Sequence, residues 1–246
     1  MRKNTKRQPR KIRPYTDLTD LIDIHKGRKC FIVGAGPSVT FLDLSEIHSH
    51  VVMAINSAMM FMPWSKGDPE GRFWISNDTL CLKWSYFWTD VLRSNCTKIV
   101  RTSWRGRDNE LHKHGFRYFA PRESQKAPLN NLGKSLCYES SIPTAIDLAM
   151  LMGCAEIYVL GMDHKMLHGK SHFWQFWPKE KWPQRSDKGK NFNPEQPHQM
   201  RKFQENKKVY IDLNEMAERV GSKVYNCSKM SVVTAFPKIT LDEALV

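Results

Sequence analysis

The sequence has no apolar run near the roughly 18 residues needed to span a bilayer. Its first fourteen residues, MRKNTKRQPRKIRP, also lack the apolar stretch of a secretory signal. The expected location is therefore the cytoplasm, that of a host if the chain is virus-encoded. Six cysteines are scattered at Cys30, Cys81, Cys96, Cys137, Cys154 and Cys227 without a C-x-x-C pair. That pattern fits buried reduced thiols better than a disulfide or zinc framework. No D-x-D pair occurs, which weakens any chemistry built on a metal-chelated nucleotide diphosphate, and no metal site is expected. His164, His168 and His172 have ligand-like spacing, but Gly169 interrupts them and no carboxylate lies among them. Neither G-x-G-x-x-G nor G-x-x-x-x-G-K-[ST] is present, so hydride-transfer and Walker-type assignments fail on the residues themselves.

What the chain has in excess is positive charge: 38 Lys+Arg against 25 Asp+Glu, a formal +13. Arg2, Lys3, Lys6, Arg7, Arg10, Lys11 and Arg13 fall in the first fourteen positions with no acid among them. Residues 1–14 read as a disordered basic arm, either a solubility tail or a contact for a polyanion. Hydrophobic residues at 41% and aromatics at 11% place the remainder among globular chains.

Elements follow from apolar patterning. Residues 17–26 have the spacing of a short amphipathic helix. Arg28 to Gly34 is a buried parallel strand running into Gly34-Ala35-Gly36-Pro37-Ser38. Further strands are expected at 51–55, 73–75, 98–100, 156–160 and 223–225. Helices are expected from Ser140 to Met152, where Pro143 suits the first turn and Gly153 the stop, and at 208–219 and 239–245. Alternation of strand, helix and strand implies right-handed crossovers and a mostly parallel Rossmann-like α/β sheet with helices on both faces. From His164 to Asn206 the chain becomes basic, aromatic and rich in breaks, the signature of a lid insertion. The organisation is then an arm over 1–14, a nucleotide-binding core over 15–163, a lid over 164–206 and a return to the core over 207–246.

Chemistry-bearing residues cluster at strand ends. Glycine at positions 34 and 36 lets backbone N–H groups approach a phosphate, although Pro37 removes one donor and a plain β-turn explains the run equally. Asn56 and Asp163 each follow a strand, on the edge where open parallel sheets bind ligands, or else satisfy local turns. Ser140 and Ser141 open a helix whose free N–H groups suit an anion, or simply cap it. His198 lies in the basic aromatic segment, where a neutral imidazole can take a proton from a hydroxyl. Lys165, Arg185 and Lys190 are cations for a departing phosphate. Arg101, Trp104 and Arg105, with Trp174, Trp177 and Arg185, interleave cations and rings as in nucleic-acid surfaces, unless the rings are lid core.

The runs FIVGAGPSVTFLDLS, AINSA, ESSIPTAIDLAMLMGCAEIYVLGMD and YNCSKMSVVTAFPKITLDEAL, with His198 between the last two, resemble a family of Rossmann-like transferases. That family includes bacterial lipooligosaccharide sialyltransferases, flagellin-modification (motility accessory factor) proteins and archaeal 6-hydroxymethylpterin diphosphokinase. The likeness extends from Arg28 to the end of the chain and covers the nucleotide-binding scaffold. On the sialyltransferase branch it implies a nucleotide-sugar donor held at Gly34, Gly36, Pro37, Ser38, Asn56, Ser140 and Ser141, with His198 as general base. Three features depart from that branch. Ala35 stands where it has Asn, Ile142 stands where it has Gly after the Ser, and the tyrosine pair that supports the leaving phosphate there is not recognisable, since His164 and Lys165 follow Asp163 instead.

The leading expectation is a glycosyltransferase that moves a sugar from a CMP-, UDP- or GDP-linked donor to a hydroxyl, with inversion and without a required cofactor. Residues His198 and Lys165 would be catalytic. The donor would bind at Gly34 to Ser38, Asn56, Ser140, Ser141 and Asp163, and the acceptor at Arg101, Trp104, Arg105, Trp174, Trp177 and Arg185. Positive charge favours a polyanionic acceptor, DNA with a hydroxymethylated base first among them. The alternatives are a diphosphokinase-like phosphate-transfer enzyme and a non-catalytic nucleic-acid-binding protein.

Overall fold

The structure is a computed structural model that describes residues 18–62, 71–104, 111–122, 135–137, 140–187 and 207–246. Eight strands form one sheet: β1 Lys29–Val33, β2 Val51–Ile55, β3 Arg72–Ser76, β4 Thr97–Arg101, β5 Phe116–Arg122, β6 Ser135–Cys137, β7 Glu156–Leu160 and β8 Lys223–Asn226. Every pairing is parallel. The order is β6-β5-β4-β3-β2-β1-β7-β8. The chain thus steps outward from β1 to β6, returns to the far side of β1 and continues to β8. The reversal between β1 and β7 is the switch point of an α/β Rossmann-like fold, where loops at the carboxyl ends diverge.

Burial explains the strand sequences. In β1, Cys30 and Ile32 join the core on one face while Phe31 and Val33 join the core on the other. Strands covered on both faces carry continuous apolar runs, as this one does. The first face is covered by helices α1 (Ser141–Leu151) and α2 (Lys207–Val220), which pack on one another. Helix α1 is buried at nearly every position because it lies between the sheet and α2, so it lacks an amphipathic stripe. The second face is covered differently. It carries short 3-10 turns, a π-helical turn at Phe87–Val91, the rings of Phe173 and Trp174, and the five-residue helix α3 (Leu241–Leu245) with its Thr240–Glu243 capping box.

Three sequence expectations need correction. The expected helix over 17–26 is not found over its described part, 18–26: Thr19–Leu21 is one 3-10 turn, and Asp23 has φ +58, a left-handed conformation that ends any helix there. Ile22 still packs against the first core. Strands β5 and β6 are absent from the apolar patterning, because β5 (FRYFAPR) mixes arginines and a proline into its run and β6 has three residues. The terminal helix begins at Leu241 rather than 239. All six cysteines are free and buried. No helix among the described residues is long and apolar enough to cross a membrane.

Candidate active site

At the switch point the glycine turn is packed shut against the end of β7. The N–H of Gly34 donates to Leu160 O at 2.8 Å and that of Gly36 to Gly161 O at 3.1 Å. The Ser38 N–H donates to Asp163 Oδ2 at 2.8 Å, and Ser228 Oγ donates to Asp163 Oδ1. Asp163 is buried, so its carboxylate serves as an internal acceptor that ties β1, β7 and β8 together. A Cβ on Gly34 would lie 2.8 Å from Gly161 O and 3.1 Å from Ile142 Cδ1; one on Gly36 would lie 2.5 Å from Asp163 Oδ2. Both glycines are required for close packing of two loops. The N–H groups of residues 34, 36 and 38 are directed into the fold rather than toward a ligand.

Open space lies one strand over, at the carboxyl ends of β1, β2 and β3. A cavity of about 200 Å3 is bounded there by Ala35 after β1, Asn56 and Ser57 after β2, and Asp78, Leu80 and Cys81 after β3. Its outer wall is Trp84 and Tyr86, with His172, Trp174, Pro183 and Arg185 from the segment that follows β7. The volume is below the roughly 300–1,000 Å3 of clefts that enclose whole drug-sized ligands. It has room for a single ring and its substituents.

Asn56 is fixed from three directions. Its backbone has φ +51, which asparagine tolerates better than most residues. Trp74 Nε1 donates to its carbonyl at 2.9 Å. Its Oδ1 accepts from Cys81 Sγ at 3.6 Å and Ser141 Oγ at 3.5 Å. Two donors on Oδ1 leave the amide nitrogen as the group that Asn56 can offer a ligand oxygen. Ser141, the first residue of α1, also accepts from the Asn77 N–H at 2.9 Å, and Asn77 Nδ2 donates to Thr144 Oγ1 at 2.7 Å. The ends of β2 and β3 are thereby bonded to the amino end of α1. Ser140 occupies the N-cap position with extended backbone and no side-chain cap bond.

The cavity holds several protonated or neutral groups. Burial pushes the Cys81 thiol up to about 12 and the Tyr86 phenol well above its ordinary range. Tyr86 Oη donates to Cys81 Sγ at 3.0 Å. Burial pushes the His172 imidazole down to about 4, so it is neutral near pH 7. His172 Nδ1 lies 2.9 Å from Ser171 Oγ, and its ring stacks on Trp174 at 5.3 Å. Arg185 supplies a cation: Asp187 accepts from its Nε at 2.7 Å, and its guanidinium lies 5.7 Å from the Trp84 ring centre. Asp187 also accepts from Lys83 Nζ at 2.7 Å. The backbones of 83–85 and 184–186 join through Ser85 N to Gln184 O at 2.7 Å and Ser186 N to Lys83 O at 2.8 Å.

Of the residues singled out in the sequence, Ala35, Asn56, Trp174 and Arg185 meet at this cavity. Gly34, Gly36, Pro37, Ser38 and Asp163 form the closed loop contact beside it. Lys165 is half-buried just beyond that contact and does not line the cavity. Arg101 closes β4 with Nε donating to Ser103 Oγ at 2.8 Å. Trp104 is fully buried against Trp74 and Phe87, and Trp177 packs on Phe61 and Phe173. His198, Lys190 and Arg105 lie outside the described residues, as does the arm over 1–14. The three spaced histidines separate: His164 Nε2 bonds Tyr210 Oη at 3.0 Å, His168 is exposed, and His172 turns to the cavity. Sequence reading misses Asp78, Trp84 and Tyr86, whose region carries no motif, counts Cys81 only among the buried thiols and treats His172 only as a metal-ligand candidate. No protein-family model matches the chain, and no curated protein matches it.

Proposed function

We propose that the protein is a glycosyltransferase that moves a sugar from a nucleotide-sugar donor to a hydroxyl on an anionic acceptor, with a hydroxymethylated base in DNA as the preferred acceptor. The observation that carries this reading is the bonding of Asn56, after β2, to Ser141, at the start of α1, beside a cavity containing Arg185. An amide N–H2 group, the amino end of an eleven-residue helix and a cation suit phosphate and sugar oxygens. The resemblance to Rossmann-like transferases supplies the reaction class, and the formal +13 supports the polyanionic acceptor.

In this reading Arg185 balances charge that develops on the departing phosphate, and its Asp187 and Trp84 contacts hold it in place before the reaction. The acceptor hydroxyl loses its proton to a general base, His198, as its oxygen attacks the anomeric carbon and the bond to the phosphate breaks. A single displacement inverts that carbon. His172, neutral and held by Ser171 and Trp174, offers its second ring nitrogen as a hydrogen-bonding partner within the cavity.

The test has two steps. Thermal shift across CMP-, UDP- and GDP-sugars should identify one nucleotide class that stabilises the chain, since binding to the folded state raises its melting temperature by mass action. Purified protein with that donor should then release the nucleoside diphosphate (UDP or GDP) or monophosphate (CMP) and label hydroxymethylated DNA. Stabilisation by ATP and magnesium alone, or no response to any donor, would overturn the reading.

A further inference from the structure

Of the tryptophans that the sequence offers for base stacking, Trp104 and Trp174 are only 0% and 3% exposed, and Trp177 is half-buried against Phe61 and Phe173. A different pair of rings is available. Phe41 is 63% exposed, the most exposed phenylalanine or tryptophan among the described residues. It lies edge-on to Phe176, with ring centres 5.6 Å apart and planes at 76°. Lys170 Nζ lies 4.2 Å from the Phe176 ring centre, within cation–π range. One exposed apolar side chain is ordinary on a protein surface. Here two rings and a cation share one spot, on two segments that are hydrogen-bonded to each other.

Phe41 ends the 3-10 turn Pro37–Phe41, which leaves the glycine turn directly, and Phe176 ends the 3-10 turn Phe173–Phe176. Thr40 Oγ1 donates to Phe173 O at 3.2 Å, joining these turns, and the Phe173 N–H donates at 3.2 Å to Ala35 O in the glycine turn just before the first. Ala35, His172 and Trp174, all in the same two segments, line the cavity. The paired rings therefore stand beside the proposed reaction site, on a chain whose formal charge is +13.

We infer that Phe41 and Phe176, with Lys170, form a stacking platform for an unstacked base of a nucleic-acid strand, seated next to the cavity at the ends of β1 to β3. A phenyl face stacks on any base, and a lysine beside it contacts the adjoining phosphate, which is how sequence-tolerant single-strand sites are built. This inference rests on the proposed nucleic-acid acceptor and adds the surface that receives it.

The experiment titrates a fluorescently labelled single-stranded oligonucleotide with the full chain, over a range of salt. Phe41→Ala should weaken binding about 5-fold to 100-fold and leave the salt slope unchanged, because stacking releases no counterions. Lys170→Gln should lower the magnitude of the slope by about 0.7, the share of one phosphate contact on a single strand. Phe41→Trp should restore or exceed native affinity. Unchanged affinity in Phe41→Ala would overturn the platform. So would a change in oligomeric state on size-exclusion chromatography with unchanged affinity, which would make Phe41 a self-association contact. Equal Phe41 dependence for a sulfated glycan would also overturn it, since that ligand has no base to stack. The platform and the transferase reading fail separately: loss of binding in Phe41→Ala with no sugar transfer leaves the platform standing, and sugar transfer to DNA with no Phe41 effect leaves only the transferase.

Discussion

Ser38 and Asp163 lie 125 positions apart in the chain, yet the N–H of one donates to the carboxylate of the other at 2.8 Å. That bond, with Gly36 laid against Gly161 and Asp163, closes the switch-point crevice. Ligand-accessible space is displaced toward Asn56 and Asp78.

Gly36→Ala should destabilise the fold by about 1–3 kcal/mol through overpacking alone, since φ −66 at Gly36 suits any residue. Gly115→Ala is the contrast: nothing lies within 4 Å of the added Cβ, but φ is +74, so the effect there is backbone strain of about 1 kcal/mol. Urea midpoints for the two variants measure this. An undiminished midpoint in Gly36→Ala would mean that the two loops do not close on one another.

Arg122 and Asp147 form a buried ion pair at 2.6 Å, and the Cys137 N–H donates to the same Asp147 oxygen at 2.7 Å. One carboxylate on α1 thus anchors both β5 and β6. Arg122→Met should cost about 3–5 kcal/mol, because it removes one half of a buried ion pair. Adding Asp147→Leu should recover part of the loss. A double-mutant cycle by urea denaturation gives the coupling, and a loss under about 1 kcal/mol in the single variant would mean the pair is not buried in solution.

The pH dependence of stability has two windows. His172 titrates near 4 when folded and near 6.5 when unfolded. Below pH 6.5 the unfolded chain takes a proton that the folded chain refuses, so stability falls as pH drops from about 6.5 to about 4, at up to about 1.4 kcal/mol per unit. His48 and His50 are lowered too, mainly by burial, and act in the same direction. His172→Phe should make the dependence shallower in that range. Asp187 acts lower: hydrogen bonds from Arg185 and Lys83 pull its carboxyl to about 2, so its contribution is present above 3.8 and lost as pH falls through 2. A slope unaffected by His172→Phe would show that the imidazole is not buried.

On the proposed transferase reading, His198→Ala should reduce sugar transfer roughly 100-fold or more while the donor-induced thermal shift persists, the separation expected of a general base. Deletion of residues 1–14 should do the reverse, weakening acceptor binding at moderate salt and sparing donor hydrolysis. Single-turnover assays and anisotropy titrations distinguish the two. Full transfer by His198→Ala would require another base, with His172 the first to examine.

How much can be read before folding varies by element. Five-residue apolar strands β1, β2 and β7 are legible because full burial on both faces demands unbroken hydrophobicity. Helix α1 is legible from its serines, Pro143 and Gly153. Strand β5 is not, since Arg122 makes its ion pair only with a residue of another element, and Pro121 hides the pattern. In the turns after β2 and after β7, the sequence marks Asn56 and Arg185 as chemical; it holds nothing to say that Trp84, Tyr86 and His172 would share a cavity with them.

The sequence by itself determined the parallel α/β architecture, the scattered buried thiols and the basic excess, because each follows from composition and local periodicity. Tertiary structure alone decided which polar groups face inward. Asp163 and three N–H groups of the glycine turn are satisfied within the fold, Trp104 and Trp174 are packed away, and Phe41 is left in water. The Asp163 and glycine-turn contacts depend on the reversal of strand order between β1 and β7. It brings segments more than about a hundred residues apart within hydrogen-bonding distance.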